Sequence, residues 1–232
     1  MSTYVITGGA GFVGSNIAHH LLRRGETVYL FDNLHRKGSP LNQKRLVEEG
    51  AHFTKGDIRN REDLEKTERF DVLIECSAEP SVSAGMSGDT NYLFDTNVLG
   101  TYNCLDLVRK RGAKLIFLST SRVYSMRALQ NVPLGEDESK FYLKDIPEDL
   151  EGLSTQGIAK NFSTHAPRTI YGTTKLCSEL LVQEWAAQFG IPSLINRCGV
   201  IAGPWQMGKV DQGIVSLWVA SHYFNIPLCY KG

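Results

Sequence analysis

A glycine-rich segment at residues 7–14 (TGGAGFVG) lies between an apolar run that predicts a strand and an amphipathic run that predicts a helix. Its glycines fit both G-x-x-G-x-x-G and G-x-G-x-x-G. They permit a tight turn, a close approach of the backbone to a pyrophosphate, and close packing of helix on strand. The segment therefore predicts a βαβ fold whose first helix binds a dinucleotide at its N-terminus.

Asp32 ends the second predicted strand, at the distance from Gly14 that is typical of a carboxylate binding ribose hydroxyl groups. A carboxylate there repels a 2′-phosphate, so the pattern favours NAD over NADP. Arg36 and Lys37 lie close enough in sequence to weaken that preference. The alternative is an ordinary glycine turn with Asp32 as a turn-capping residue.

Strand and helix patterns alternate along the rest of the chain, which predicts an α/β fold: a Rossmann-type doubly wound parallel sheet with helices on both faces. Residues 125–167 interrupt the alternation and predict a functional loop or insertion without a core of its own. We expect an NAD-binding domain over residues 1–198 and the start of a small, truncated substrate-binding lobe over 199–232. Strands are predicted at 3–7, 27–31, 51–53, 71–75, 113–118 and 193–197, and helices at 12–24, 41–49, 61–68, 91–111, 171–189 and 214–224.

The charge balance argues against several classes of partner. Twenty-five basic residues offset twenty-five acidic ones, so the chain lacks the excess positive charge of a general nucleic-acid or anionic-membrane binder.

The five cysteines are widely spaced with no C-x-x-C, so we expect neither a disulfide framework nor a metal site. No secretory signal or membrane-spanning apolar run is visible, and we therefore expect a cytoplasmic protein without a membrane partner.

Tyr171 and Lys175 lie four residues apart at the start of a predicted helix, so their side chains share one face. A nearby ammonium group favours the phenolate form of a tyrosine, which can then act as a base. Thr120 follows the strand at 113–118 and falls at the carboxyl edge of the sheet, where ligands bind in doubly wound folds. Its hydroxyl can hydrogen-bond the tyrosine and a reacting substrate hydroxyl. Taken alone, a Tyr–Lys pair at this spacing also occurs on many surface helices.

Further motifs follow in order along the chain: Asp57-Ile58, Asn97, Ser119-Thr120 and Val123-Tyr124. With the glycine-rich segment, Asp32 and Tyr171-x-x-x-Lys175, they resemble the extended short-chain dehydrogenase/reductases, a family of NAD-dependent nucleotide-sugar epimerases and dehydratases. The resemblance runs from residue 3 to the end of the chain. It implies NAD as cofactor, a nucleotide-sugar as substrate, and a homodimer formed through helices 91–111 and 171–189.

The resemblance also implies three sets of site residues. The catalytic set is Thr120, Tyr171 and Lys175. The cofactor-binding set is Gly8, Gly11, Phe12, Val13, Gly14, Asp32, Asn33, Asp57, Ile58, Cys76, Ser77, Ala78 and Asn97, together with Tyr171 and Lys175. The substrate-binding set is Ser121, Arg122, Gly203, Pro204 and Lys209.

Within the family, the 4,6-dehydratases place Asp-Glu directly after the threonine, where this chain has Ser121-Arg122. The resemblance therefore favours an epimerase, which oxidises a sugar hydroxyl and reduces the ketone on its opposite face. The long stretch between Thr120 and Tyr171, together with residues 196–213, most resembles the 2-epimerases of CDP-sugars. A UDP-sugar 4-epimerase, a dehydrogenase or reductase that exchanges its cofactor, and an NAD-binding sensor or scaffold remain as alternatives. Two departures from the family are Ser125, where a glycine is typical, and the end of the chain within a segment that resembles a substrate-binding one.

Overall fold

The computed structural model describes residues 1–81, 90–144, 146, 151–207 and 213–228. Its strands are β1 (Thr3–Thr7), β2 (Thr27–Asp32), β3 (His52–Lys55), β4 (Val72–Glu75), β5 (Lys114–Thr120), β6 (Leu134–Glu136), β7 (Phe141–Leu143), β8 (Leu153–Ser154), β9 (Gly157–Ile158) and β10 (Ser193–Cys198). Its α-helices are α1 (Phe12–Arg23), α2 (Ser39–Glu48), α3 (Arg61–Glu65), α4 (Thr90–Phe94), α5 (Gly100–Arg111), α6 (Met126–Gln130), α7 (Ile170–Phe189) and α8 (Ile214–Phe224).

Six strands form one parallel sheet in the order β10-β5-β4-β1-β2-β3. The chain passes outward from β1 to β2 and β3, then returns to β4 on the other side of β1. The strand order therefore reverses between β1 and β4, and a crevice opens at the carboxyl ends of these two strands. The predicted doubly wound α/β fold is confirmed.

Both faces of the sheet are buried, as the continuous apolar strands require. On one face, Leu73 and Phe117 pack with Leu105 of α5 and Val182 of α7. The opposite face has a second cluster, which includes Ile6, Leu30 and Ile74 of the sheet with Ala18 of α1 and Leu46 of α2. Successive side chains along one strand therefore pack on opposite faces of the sheet. The end of the crevice that is predicted to hold the reactive residues lies above the face covered by α5 and α7.

The helix predicted over 61–68 ends at Glu65, and two other regions differ more from the prediction. The helix predicted over 91–111 contains a π-helical segment at Asp95–Leu99 between α4 and α5. The segment expected to lack a core contains α6 and two short antiparallel hairpins, β6–β7 and β8–β9. Val123, Tyr124, Leu153 and Phe162 give that segment a small apolar cluster. Within the described residues, no helix is long and apolar enough to cross a membrane. The domain boundary at residue 198 stays a prediction.

Candidate active site

A cleft of about 500 Å³ opens at the carboxyl edge of the sheet. It is lined by the ends of β1, β2, β4 and β5, by the start of α7, and by the loop after β10. Sixteen of the predicted site residues line it together. They are Gly8, Gly11, Phe12, Val13, Gly14, Asp32, Asn33, Asp57, Ile58, Cys76, Ser77, Ala78, Thr120, Arg122, Tyr171 and Lys175.

The glycine-rich turn is shaped by close backbone contacts. Gly8 has φ of +64°, and a Cβ atom there would lie 2.8 Å from the amide nitrogen of Ser77. A Cβ atom on Gly14 would overlap the carbonyl oxygen of Gly8, so helix α1 can approach the turn only because this residue is glycine. Gly11 caps α1 and offers no side chain to its free amides. The helix N-terminus is therefore open to an anionic group, which fits the pyrophosphate of a dinucleotide.

Asp32 is held at the end of β2 by the backbone of this turn. Its Oδ2 accepts a hydrogen bond from the amide of Ala10 at 3.1 Å, and its Oδ1 accepts one from the amide of Leu34 at 2.7 Å. Burial raises the pKa of Asp32, and the two backbone hydrogen bonds oppose that rise. The carboxylate still lines the cleft, where a ribose hydroxyl would be able to donate to it.

Two ion pairs lie near Asp32, one between Asp57 and Arg59 and the other between Arg36 and Glu79. Asn33 donates to Asp57 at 2.9 Å, and hydrogen bonds from Arg59 lower the pKa of Asp57 to about 2. Arg36, which the sequence placed near enough to attract a 2′-phosphate, donates instead to Glu79 at 3.1 Å. Its charge is therefore already neutralised by a carboxylate in the same cleft.

Thr120, Tyr171 and Lys175 lie together at the other end of the cleft. Thr120 is the last residue of β5, and the other two stand one turn apart at the start of α7, which Thr169 caps by accepting from the amide of Gly172. All three are at least nine-tenths buried. Burial raises the pKa of Tyr171, and a hydrogen bond with Thr120 opposes that rise.

Lys175 is almost completely enclosed, with 2% of its surface exposed. Its Nζ lies 4.0 Å from the centre of the Phe117 ring. Burial lowers the pKa of Lys175 to about 8, and the charge of Glu75 is the largest influence in the opposite direction. Lys175 lines the cleft together with Tyr171, and a nearby ammonium favours the phenolate form of a tyrosine.

The π-helical segment ties α7 to the cleft. Asn97 donates to Thr174 at 3.0 Å and accepts from the amide of Glu79 at 2.9 Å. Its carbonyl oxygen accepts from Ser178 at 2.6 Å. Asn97 is 1% exposed and is not among the residues lining the cleft, so its contacts position the residues on either side.

Three further predicted residues, Ser121, Gly203 and Pro204, do not line this cleft. Ser121 begins a short 3₁₀ turn after Thr120, and Gly203 lies beside the ring of Phe12. The carbonyl oxygen of Pro204 accepts from Asn16 of α1 at 2.9 Å. Lys209 falls outside the described residues. Their predicted contacts with substrate stay predictions.

Several residues of the cleft were not predicted from the sequence. Asn42 of α2 donates to the carbonyl of Ala10 at 3.2 Å, a contact between segments far apart in the chain that no motif would reveal. Glu79 was detectable as an acidic residue close after β4, at the carboxyl edge of the sheet. Others include Ala10, His35, Ser39, Tyr92, Thr96, Cys198 and Trp205.

Known proteins resemble this chain in sequence over most of its length. CDP-paratose 2-epimerase of Salmonella typhi is 32% identical over 216 residues, which are 91% of this chain and 61% of that protein. dTDP-glucose 4,6-dehydratase of Mycobacterium tuberculosis (strain ATCC 25618 / H37Rv) is 28% identical over 207 residues, which are 87% of this chain and 54% of that protein. The chain therefore spans less than two thirds of the length of each of these relatives.

Solved structures share the fold. UDP-glucose 4-epimerase from Thermotoga maritima aligns with a TM-score of 0.74 at 24% identity, over 99% of this chain and 66% of that one. UDP-glucose 4-epimerase from Thermus thermophilus, in complex with NAD, aligns with a TM-score of 0.71 at 24% identity, over 97% and 64%. The profile of the NAD dependent epimerase/dehydratase family matches residues 4–224. This chain belongs to that NAD-dependent epimerase/dehydratase family.

Proposed function

We propose that the protein is a nucleotide-sugar epimerase that keeps its NAD bound through the catalytic cycle, and that it is most similar in activity to CDP-paratose 2-epimerase. The observation that carries the proposal is the position of Thr120, Tyr171 and Lys175 in the same cleft as the glycine-rich turn and Asp32. The glycine-rich turn fits a pyrophosphate and the Asp32 carboxylate fits a ribose. One end of the cleft therefore suits the cofactor, and the other end holds the reactive residues.

Each of the three reactive residues has a separate role. Tyr171 removes the proton from a sugar hydroxyl as the base, and Thr120 orients that hydroxyl and the phenol through its own hydroxyl group. Lys175 stabilises the phenolate by its positive charge and holds the cofactor ribose. NAD held by the glycine-rich turn, Asp32 and Lys175 would supply the hydride acceptor and donor for the sugar carbon. The keto-sugar then rotates to present its opposite face, and hydride return to that face produces an alkoxide. Tyr171 returns the proton to this alkoxide.

The residues after Thr120 support epimerisation over dehydration. Elimination of water from the sugar needs an acid and a base beside the ketone, and the resemblance to dehydratases would place Asp-Glu at these two positions. Ser121 and Arg122 occupy them here, and Arg122 lines the cleft. An arginine keeps its proton at neutral pH and is a poor acid. Its charge fits a phosphate of the substrate instead.

The first experiment identifies the cofactor that accompanies the protein. Protein purified without added nucleotide is denatured, and the released small molecules are separated and weighed by mass spectrometry. Near-stoichiometric NAD or NADH is the expected result, because an epimerase regenerates its cofactor in every cycle and gains from holding it tightly. Empty protein that binds NAD on titration would support a dehydrogenase that exchanges its cofactor, and failure to bind NAD would contradict the proposal.

The second experiment tests turnover with CDP-sugars and then UDP-sugars. We expect a product of unchanged mass with inverted configuration and no accumulation of NADH. A product lighter by one water would identify a dehydratase. Tyr171→Phe should lower kcat by at least about 100-fold and leave the Kd for NAD nearly unchanged. Tyr124→Phe is the matched control, because Tyr124 is also buried but donates to the carbonyl of Ala159, outside the cleft.

If Tyr171→Phe retains the wild-type kcat, the assigned base is wrong. If the wild-type chain binds NAD but converts none of the sugars, a sensor or scaffold becomes the better description.

We further infer a homodimer formed through α4, α5, the π-helical segment between them, and α7. Phe94 and Leu99 on one side and Leu180 on the other are each at least two-fifths exposed. Beside them a groove is lined by Val98, Tyr102 and Leu181. An apolar surface of this kind is typical of an interface between subunits.

A further inference from the structure

Glu75, the last residue of β4, is a buried carboxyl group to which the proposed chemistry assigns no role. It is 1% exposed. Its Oε1 accepts a hydrogen bond from Thr101 of α5 at 2.6 Å, and its Oε2 has no hydrogen-bond partner in the described part of the chain. A buried carboxylate with a free oxygen is costly unless a positive charge lies nearby.

The register of the sheet places this carboxyl group close to Lys175. Glu75 pairs with Phe117 of the adjacent parallel strand β5, and paired residues of neighbouring strands extend to the same face. The Nζ of Lys175 lies 4.0 Å from the centre of the Phe117 ring. The carboxyl of Glu75 and the ammonium of Lys175 therefore occupy the same layer, beneath the reactive end of the cleft.

The other ionisable groups around Glu75 and Lys175 are either paired with an opposite charge or uncharged. Glu179 of α7 accepts from Arg197 of β10 at 3.0 and 2.7 Å, so its charge is compensated. Burial raises the pKa values of Cys76, Cys104 and Cys198, whose thiols stay neutral near pH 7. Among the charged groups that influence Lys175, Glu75 is the largest that favours its charged form.

We propose that Glu75 is a positioning residue for catalysis, whose carboxylate keeps the ammonium of Lys175 charged inside the protein and available to Tyr171. This role rests on the proposed function, in which Lys175 stabilises the phenolate. In this role, the charge of Glu75, which is buried one layer below the cleft, controls the active site. Burial raises the pKa of Glu75 to about 7, and the Lys175 charge opposes that rise, so each group favours ionisation of the other.

The direct test follows the charge of Lys175 in the protein as purified. The side-chain ammonium groups of ¹⁵N-lysine protein are observed by NMR across a pH series, and the Lys175 signal is assigned by its loss in Lys175→Met. In Glu75→Gln, which keeps the shape and an acceptor for Thr101, the midpoint of Lys175 deprotonation should fall by about one pH unit or more. A midpoint within about 0.3 unit of the wild type would overturn the proposal.

Two variants separate charge from packing. Cys104→Ala removes a buried group one turn from Thr101 without changing any charge, and should lower the melting temperature while leaving the Lys175 midpoint in place. Glu75→Asp keeps the charge and should retain a midpoint closer to the wild type than Glu75→Gln does. A midpoint that moves as far in Cys104→Ala as in Glu75→Gln would show that packing is responsible, and would contradict the proposed role.

The same shift should appear in turnover. Activity that needs a charged Lys175 declines as the pH rises, and this decline should move to lower pH in Glu75→Gln by the amount that the NMR midpoint moves. A shifted midpoint with an unshifted pH–rate profile would overturn the catalytic part of the proposal. The NMR titration needs neither cofactor nor substrate. Lack of epimerase activity in the wild type would therefore contradict the proposed function while leaving the electrostatic effect of Glu75 measurable.

Discussion

At the scale of single residues, the chemistry depends on how easily Tyr171 loses its proton. Burial raises its pKa and the hydrogen bond with Thr120 lowers it. The charge of Lys175, fixed in place over Phe117, is one turn further along α7. A buried phenol of this kind becomes a base only where such neighbours favour the phenolate, and each neighbour can be removed separately.

Replacing Thr120 by Val should move the acidic limb of the pH–rate profile to higher pH. The lost hydrogen bond raises the pKa of Tyr171, so a smaller fraction is ionised at any pH below that pKa. We expect a shift of about 0.5–1 pH unit and a corresponding decrease in kcat near neutral pH. The measurement is kcat against pH with saturating substrate. Thr120→Ser keeps the hydroxyl and is the control, and an equal shift in both variants would contradict this role of the hydroxyl.

At the scale of elements, α7 is fixed to the sheet by a buried charged network. Glu179 is fully buried and accepts from Ser119 of β5 at 2.5 Å and from Arg197 of β10 at 2.7 Å. Arg197 also donates to the carbonyl of Lys160 at 2.7 Å, which connects the hairpin-containing insertion to the same point. The helix that carries Tyr171 and Lys175 is thus held to the sheet at Glu179, one turn after Lys175.

Arg197→Met should destabilise the fold by about 3 kcal/mol, because it leaves the Glu179 carboxylate buried without its cation. Equilibrium unfolding in urea measures the change. The double variant Glu179→Gln/Arg197→Met removes the unpaired charge and should recover about half of the lost stability or more. Double-variant stability no higher than that of Arg197→Met would show that the ion pair is not what holds the helix.

The elements that sequence reasoning predicted well are those with a strong local pattern. β1, α1 and α8 begin and end within a residue of the prediction, because a glycine turn or a helical period marks them. The π-helical segment at Asp95–Leu99 was missed because one extra residue in a turn barely alters an apolar period. The hairpins β6–β7 and β8–β9 have strands of two or three residues, too short for alternation to appear.

The candidate site was likewise predicted where a local motif marks its residues and was missed where it depends on the tertiary fold. Motifs predicted the residues of the cleft that belong to local signatures, such as the glycine turn and the Tyr–Lys pair on one helix. Contacts that depend on the strand order were not accessible. Arg36 meets Glu79 only because β1 and its neighbours bring the ends of β2 and β4 together, and Glu75 approaches Lys175 only because β4 pairs with β5.

At the scale of the whole molecule, the cleft is lined by residues from Gly8 to Gly213, so a bound dinucleotide should stabilise the entire fold. NAD at about 100 times its Kd should add about 2.7 kcal/mol to the free energy of unfolding. NADP should stabilise less, because its 2′-phosphate would lie near the Asp32 carboxylate while Arg36 is paired with Glu79. Melting temperatures with each dinucleotide measure this preference. Equal shifts for NAD and NADP would contradict the assigned role of Asp32.

The inferred dimer gives the last prediction at this scale. Leu180→Glu places a charge on the α7 side of the apolar surface formed by α4, α5 and α7, where burial against a second copy would be strongly unfavourable. Sedimentation should therefore show a dimer for the wild type and a monomer for the variant at the same concentration. Phe141→Glu is the matched control, because Phe141 is 68% exposed on the short hairpin β6–β7, away from this surface. A wild-type monomer at working concentration, or an equal effect of both variants, would contradict an interface through these helices.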